Sequence, residues 1–405
     1  MTEKFAVSMR FVALVALLFS LVAMSIDSML PALGQIASDL HAYTANSRQH
    51  VLTAFFAGLT VGQLVYGPVS DSTGRKPAIV AGIGLFVVGG LMCSLAASYE
   101  TMIVGRVIQG FGAAGPRIVS AAMVRDLYEG RAMARVMSFV MAIFILVPIL
   151  APGIGQVILL FGDWRLIFLA LVATATLALA WMTVGQRETL PQERRSPFSA
   201  KPILRAAHEC IRNPVTMGYA MATGFIFGAF ICYLGTAQQI FQEQYGLGRL
   251  FPVYFGMLAA SIGIASIVNA RLVMRFGMRR LSKLALRAAC VLSAGFLVLV
   301  VLLGGHPPFW MFMVYMFVNF FFCGLLFGNY NALAMEPMGR IAGVASAIIG
   351  SLTSLVALVC GTIIGQLYDG TVIPLVAGFA ALGICALAVT EWAERNRPSA
   401  AHTAA

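Results

Sequence analysis

Acidic residues are scarce in this chain, with 16 Asp and Glu among 405 residues. Charged residues of both signs make up only 11% of it, where an ordinary soluble domain carries about a quarter. Such a chain cannot build a normal water-facing surface. With 60% apolar residues it is expected to be an all-α polytopic membrane protein. Histidine is also thin, five residues scattered at positions 41, 50, 208, 306 and 402, and no glycine-rich loop ends in Lys-Ser or Lys-Thr. No catalytic set, metal site or nucleotide-driven pump is therefore expected, and the protein is not expected to be an enzyme. The seven cysteines are odd in number and dispersed, six of them inside apolar runs, so they read as small core residues and form neither a disulfide framework nor a metal set.

What the chain has instead is apolar runs of about 20 residues, the length that crosses a bilayer. About twelve can be drawn, near 10–30, 50–70, 77–97, 101–124, 136–160, 164–184, 214–239, 250–274, 281–303, 309–333, 341–368 and 372–392. The first, although preceded by Lys4 and Arg10, is too long for a secretory signal and is expected to remain as a helix. The longest polar interval, Gly185 to Asn213, divides the runs six and six. The expected organisation is a first bundle over 1–185, a basic linker over 186–213 and a second bundle over 214–405. All four tryptophans fall at span ends, as an interfacial aromatic belt requires.

A formal charge of +11 would suggest nucleic acid as partner in a soluble protein. With a cytoplasmic N-terminus, however, 22 of the 27 Lys and Arg fall on the cytoplasmic side. The positive-inside rule accounts for the charge, and no nucleic-acid partner is expected.

Inside the spans the ionisable residues are few. Asp27 interrupts the first span, where an ionised carboxylate costs roughly 2.5–3.5 kcal/mol at a helix centre on insertion scales. Counted from the outer ends, Asp27 and Arg106 lie at matching depth, roughly 6–8 Å below the surface at 1.5 Å per residue. They are expected to pair, either as a proton site whose affinity changes with conformation or as a structural buried pair. Positions 106, 110, 114 and 117 share a helical face, so a cavity seen by Arg106 would also be lined by Gly110 and Ala114 and then by Arg117. Arg117 either binds an anionic substrate or reaches toward the cytoplasmic interface. After the second span the chain reads Gly67-Pro-Val-Ser-Asp71-Ser-Thr-Gly74-Arg75-Lys76, and after the eighth Arg275-Phe-Gly277-Met-Arg279-Arg280. This faint echo fits a duplicated six-helix unit and lacks the Asp in its second copy.

These strings carry a resemblance. Arg106-x-x-Gln109-Gly110 is similar to the fourth-helix motif of major facilitator superfamily transporters, and Gly67-x-x-x-Asp71-x-x-Gly74-Arg75-Lys76 to their signature loop between helices two and three. Asp27-Ser-Met-Leu-Pro31-Ala-Leu resembles the drug:proton antiporter branch, in particular Bcr/CflA-type multidrug exporters. So does Glu336-Pro337-Met338-Gly339-x-x-Ala342-Gly343-x-Ala345-Ser346. Pro148-Ile-Leu-Ala151-Pro152-Gly153-Ile-Gly155 is similar to the superfamily's antiporter motif, departing from it at Ala151 and Gln156. Ser72 stands where the family often has a base.

The resemblance implies the major facilitator fold, about twelve transmembrane helices in two six-helix halves around a central cavity. It implies proton-coupled efflux of a small hydrophobic or amphipathic drug, with no cofactor beyond the proton gradient, by a monomer in a bacterial inner membrane with both termini cytoplasmic. Asp27 and Arg106 would handle the proton. Gly67, Asp71, Gly74, Arg75, Lys76 and Asp126 would form the gate, with Asp71 at the positive end of the eleventh helix and Arg75 paired to Asp126, contacts that would join the two halves. Pro148, Pro152, Gly153 and Gly155 would bend the fifth helix. Gln109, Arg117, Tyr233 and Asn329 would contact the substrate. A sugar or other metabolite exporter of the same fold would share every gate residue; a membrane receptor or channel would need neither two halves nor the Asp27 and Arg106 pair.

Overall fold

The structure is a computed structural model that describes residues 8–196 and 200–397; Lys4, expected at the cytoplasmic N-terminus, lies outside the described residues. Among these residues all regular structure is helical. Twelve helical segments are long and apolar enough to cross a membrane. The helices are α1 (Met9–Asp27), α2 (Leu33–Asp39), α3 (His50–Thr73), α4 (Arg75–Ser94), α5 (Tyr99–Leu127), α6 (Gly130–Ile158), α7 (Arg165–Gly185), α8 (Ala200–Arg212), α9 (Pro214–Gln238), α10 (Phe251–Phe276), α11 (Met278–Leu302), α12 (Phe309–Met335), α13 (Ala342–Gln366) and α14 (Ile373–Arg395).

The first span is longer than its apolar run suggests. It continues past Pro31 through a 3-10 turn, Leu30–Ala32, into α2 and ends at Asp39. Asp27 therefore lies twelve residues from the end of this helical segment, where the apolar run alone left about four. Asp39 is held by Trp164, whose indole N–H donates to its carboxylate at 2.9 Å. Helix starts follow local chemistry. The Ser98 hydroxyl accepts from the Thr101 amide at the head of α5, and the Asn213 side chain accepts from the amides of Val215 and Thr216 at the head of α9.

The chain forms two compact units, one of residues 1–199 and 237–260 and one of 200–236 and 261–405. In the first, α5 packs between α3 and α4, and α1 meets α5, α6 and α7. Lipid offers helices no hydrophobic incentive to associate, so small residues that let backbones approach carry the contact. Gly58 of α3 lies against the Val107 carbonyl of α5, and Gly110 of α5 against the Phe55 carbonyl of α3. A Cβ at either position would overlap that oxygen. Segment 237–260 joins the first unit through amides. Arg48 donates to Gln238 at 2.8 Å and pairs with Glu243, and Gln49 donates to Gln239 at 2.9 Å.

In the second unit α11 packs on α12 and α14, and α13 on α8, α12 and α14. One buried polar cluster is built inside it: Tyr315 and Asn319 both donate to the Ser293 hydroxyl, at 3.1 and 2.7 Å. Helix α8 turns Ala206 and Cys210 inward and leaves Leu204, Arg205, Ile211 and Arg212 exposed.

Gly110→Ala is expected to lower stability by about 1–3 kcal/mol, the usual cost of forcing an atom into a packed contact. Gly84→Ala, where a Cβ meets nothing within 4 Å, is expected to be neutral. Melting curves of the two purified variants check this.

Candidate functional site

The polar centre of the first unit is built where α1 breaks. Helix α1 ends at Asp27, the Ser28 amide still donates back to Met24 at 3.0 Å, and the chain then turns through Leu30, Pro31 and Ala32. Asp27 is 4% exposed and has no hydrogen bond or ion pair among the described residues. The hydroxyl oxygens of Ser25 and Ser28 beside it are buried and equally without partners. Unpaired buried polar groups are costly, and natural proteins keep few of them away from functional sites.

Arg106 is the opposite case. It is wholly buried, yet every side of its guanidinium is answered. It donates to the Val51 carbonyl of α3 at 3.0 Å, to the Gln109 side chain at 2.7 Å and to the Ser25 carbonyl of α1 at 3.2 Å. It also lies over the Phe55 ring, 4.5 Å from the centroid, with Phe168 of α7 at 5.8 Å. The contact to Ser25 places Arg106 level with the break in α1, as expected. The expected ion pair is not formed: Asp27 is not among its partners. Carbonyl oxygens and Gln109 answer the charge instead, because packing through Gly58 and Gly110 brings the α3 backbone within reach.

Gly155 of the fifth span packs on this break. A Cβ there would overlap the Ser28 carbonyl oxygen, whereas one at Gly153 meets nothing within 4 Å. Of the motif residues, Pro148 and Pro152 lie inside α6 and Pro152 is buried, but Gly155 alone is required for close approach to α1.

The loop motif closes a second polar cluster. Gly74, at a φ of 111°, ends α3 and lets α4 start at once. Arg75, 8% exposed, donates to Asp126 at 2.9 Å and to the Ser70 hydroxyl at 2.9 Å, and pairs with Asp71. Asp71, Arg75 and Asp126 all belong to the first unit. The expectation that the Arg75 to Asp126 contact joins the two halves is thus corrected: it ties the end of α5 to the start of α4. Lys76 donates to the carbonyls of Thr183 and Gln186 at 2.7 and 2.9 Å. Gly67 has no neighbour within 4 Å of a Cβ position, so nothing here demands glycine.

Glu188 escaped the sequence reading. Its carboxylate accepts from the amides of Arg75 and Lys76 at 2.9 and 3.0 Å, and from its own neighbours Thr189 and Leu190. It is the missing cap of α4, whose first turn has no acidic residue and whose N-cap is Gly74. That lack was visible in the sequence and could have prompted a search for a distant acid. Burial works against its charge, but four backbone N–H donors hold the carboxyl below the ordinary value of 4.5. Thr189 adds a hydrogen bond to Asp126 at 3.1 Å, so the beginning of the linker is docked on the loop motif.

The second unit repeats this arrangement. Gly277, at a φ of 76°, precedes α11, and Arg279 pairs with Glu336 at the end of α12 and with Glu394 at the end of α14. Tyr219 donates to Glu394 at 2.6 Å. A cavity of about 270 Å³ opens beside Arg279, Tyr219, Tyr330 and Thr390. The absent Asp of the second copy is replaced by acids from neighbouring helices.

The expected substrate residues divide. Gln109 is fully buried, its Oε1 accepting from Arg106 while its Nε2 has no hydrogen-bond partner among the described residues; Tyr233 is 1% exposed and packs against Phe320, centroids 4.8 Å apart; Asn329 exchanges two hydrogen bonds with Asn269, at 3.0 and 2.9 Å. None of the three is open in this conformation. Gly110 and Ala114 likewise face packing contacts with α3, not a cavity. Arg117 is half-buried and has no hydrogen bond, ion pair or ring contact among the described residues.

Twelve spans, a broken first helix bearing a lone carboxyl, and two loop clusters of matching design describe a helical membrane transporter. Residues 14–361 match the Major Facilitator Superfamily, and the chain belongs to that superfamily, whose members are transporters and not enzymes. It is 32% identical over 368 residues to the uncharacterized MFS-type transporter YdgK of Bacillus subtilis (strain 168), covering 89% of this chain and 90% of that one. It is 30% identical over 369 residues to the bicyclomycin resistance protein homolog of Haemophilus influenzae, covering 90% and 91%. Its fold matches that of a D-xylose-proton symporter with a TM-score of 0.73 at 15% identity, over 96% of this chain and 97% of that one.

Two outcomes are expected from this geometry. Gly155→Ala should destabilise the protein by about 1–3 kcal/mol and Gly153→Ala should not, as thermal unfolding of each will tell. Because the Glu188 carboxyl is depressed, its stabilisation is present above the unfolded value and disappears as pH falls through the lower folded one. The melting-temperature gap between the parent and Glu188→Gln should be full near pH 7 and shrink below about pH 4.5.

Proposed function

We propose that this protein is a proton-coupled exporter of small amphipathic drugs, of the Bcr/CflA type, working by alternating access. One observation carries the reading: the Asp27 carboxyl is buried, without a partner among the described residues, at a break in a membrane-spanning helix. Ionised, it bears a cost of roughly 2.5–3.5 kcal/mol on insertion scales. Binding a proton removes that cost, so the two protonation states favour different surroundings and hence different conformations. A proton that descends a 100 mV potential supplies about 2.3 kcal/mol, which is the right size to drive such a change.

Arg106 acts in this scheme through the α1 backbone. It holds the Ser25 carbonyl, two residues from Asp27, so movement of the break with protonation is felt by α3, α5 and α7 together. Asp71, Arg75, Lys76 and Asp126, with Glu188, form the gate cluster that rearranges during the cycle. Tyr233 and Asn329 reach substrate only when Phe320 and Asn269 release them. The proton gradient is the sole energy source, no cofactor takes part, and the working unit is a monomer. The charge distribution supports an inner-membrane location with both termini cytoplasmic, and the relative named for bicyclomycin resistance supports a drug as cargo.

The test is uptake into inverted vesicles under an imposed proton gradient, with chloramphenicol and a panel of other drugs. The parent should accumulate drug only with the gradient, and Asp27→Asn should lose all but about a hundredth of that rate, the scale expected when a required proton site is removed. Undiminished transport by Asp27→Asn would make the carboxyl structural. A parent that moves sugars or other metabolites and no drug would replace the cargo.

A further inference from the structure

Two arginines lie in the interior of α5, and they differ in one respect. Arg106 and Arg117 are eleven residues apart, three turns and about 20°, so they share a face and are separated by about 16 Å along the axis. That face is the one from which Arg106 reaches Val51 and Phe55 of α3, Ser25 of α1 and Phe168 of α7. Arg106 is wholly buried and each of its three guanidinium nitrogens donates a hydrogen bond. Arg117 is half-buried and has no partner at all among the described residues.

The chain offers no carboxylate that could serve it. Of the 16 acidic residues, every one but Asp27 lies outside the spans or within about one turn of a span end. Asp27 is level with Arg106, three turns away. The α1 residues nearer the depth of Arg117, Leu14, Val15 and Leu18, are apolar and buried. Nor does the side chain reach the end of its helix readily, since ten residues, about 15 Å of rise, separate it from Leu127. A guanidinium stays charged under all physiological conditions and presents a planar fork suited to a carboxylate. A permanent cation at this depth therefore takes its counter-charge from a molecule that is not part of the chain.

We infer that Arg117 is the substrate-recognising cation of this transporter, and that its cargo is an amphiphile bearing a single anionic group such as a carboxylate. This deepens the export reading and rests on it for the word cargo. Lipophilic cations are then excluded by the charge of the site. The coupling also changes: one proton inward against one monoanion outward moves two positive charges inward per cycle, where a cationic drug would move none.

The test uses the purified full-length protein and radiolabelled nalidixate, an apolar quinolone with one carboxylate, with tetraphenylphosphonium as the cationic comparison. The parent should bind nalidixate saturably. Arg117→Gln should bind it about tenfold or more weakly, the scale of a lost charge-assisted hydrogen bond, while Arg117→Lys retains most of the affinity. Should Arg117→Gln fail to fold, the uncharged methyl ester of nalidixate decides on the parent alone and should bind about tenfold more weakly than the acid. Equal binding of acid and ester, equal binding by parent and Arg117→Gln, or saturable binding of tetraphenylphosphonium only, overturns the inference. Vesicle transport separates it from the export reading. Gradient-driven export of a drug that Arg117→Gln performs equally well sinks the anion site alone; Arg117-dependent binding without gradient-driven export sinks the coupling and leaves the site.

Discussion

A permanent charge that cannot reach water must be answered by the groups around it, and the first unit is organised by that demand at Arg106. Its guanidinium gathers carbonyls from α1 and α3, an amide from its own helix and an aromatic face from each of α3 and α7. Those carbonyls are within reach only because Gly58 and Gly110 let α3 and α5 touch backbone to backbone. Arg106, Gln109 and Gly110 thus form one device: the cation, the side chain that helps neutralise it, and the gap that admits the neighbouring helix. Because the Ser25 carbonyl is one of its ligands, the device also fixes the position of Asp27 without touching the carboxyl.

The same physics recurs at the loop clusters, where positive helix starts and basic side chains crowd together. In each unit a glycine with positive φ starts a helix abruptly and the next arginine is neutralised by acids from distant helix ends. Arg75 takes Asp126 and Arg279 takes Glu336, each from the end of the following span. Glu188 and Glu394, both following or closing the last span of their half, complete the pair of clusters in different ways, one by capping backbone amides and one by direct pairing. The echo between the two loops is weak as a string because the acids that complete it come from far along the chain.

Much of this was legible beforehand. Span number follows from apolar run length, and the burial of Asp27 and Arg106 follows from their place inside apolar runs. Glu188 was not legible, because the bare start of α4 shows that a cap is wanted and not which acid, 112 residues away, supplies it. The surroundings of Gln109, Tyr233 and Asn329 were not legible for a related reason: a polar residue in an apolar run must satisfy itself somewhere, and run position does not say whether a ligand or another side chain does it. For Asn329 it is Asn269 that does so.

The sequence by itself determined that this is a twelve-span membrane protein with a carboxyl and two arginines in its interior, because burial of charge and apolar length are properties of composition along the chain. Only the tertiary structure decided which of those charges are answered. Arg106 is satisfied by backbone carbonyls and Gln109, Asp27 and Arg117 are left without partners among the described residues, and the difference lies in which helices pack closely enough to lend their oxygens. Close packing depends on the mutual fit of small residues on separate helices, and that fit is a property of pairs of surfaces that no single segment carries.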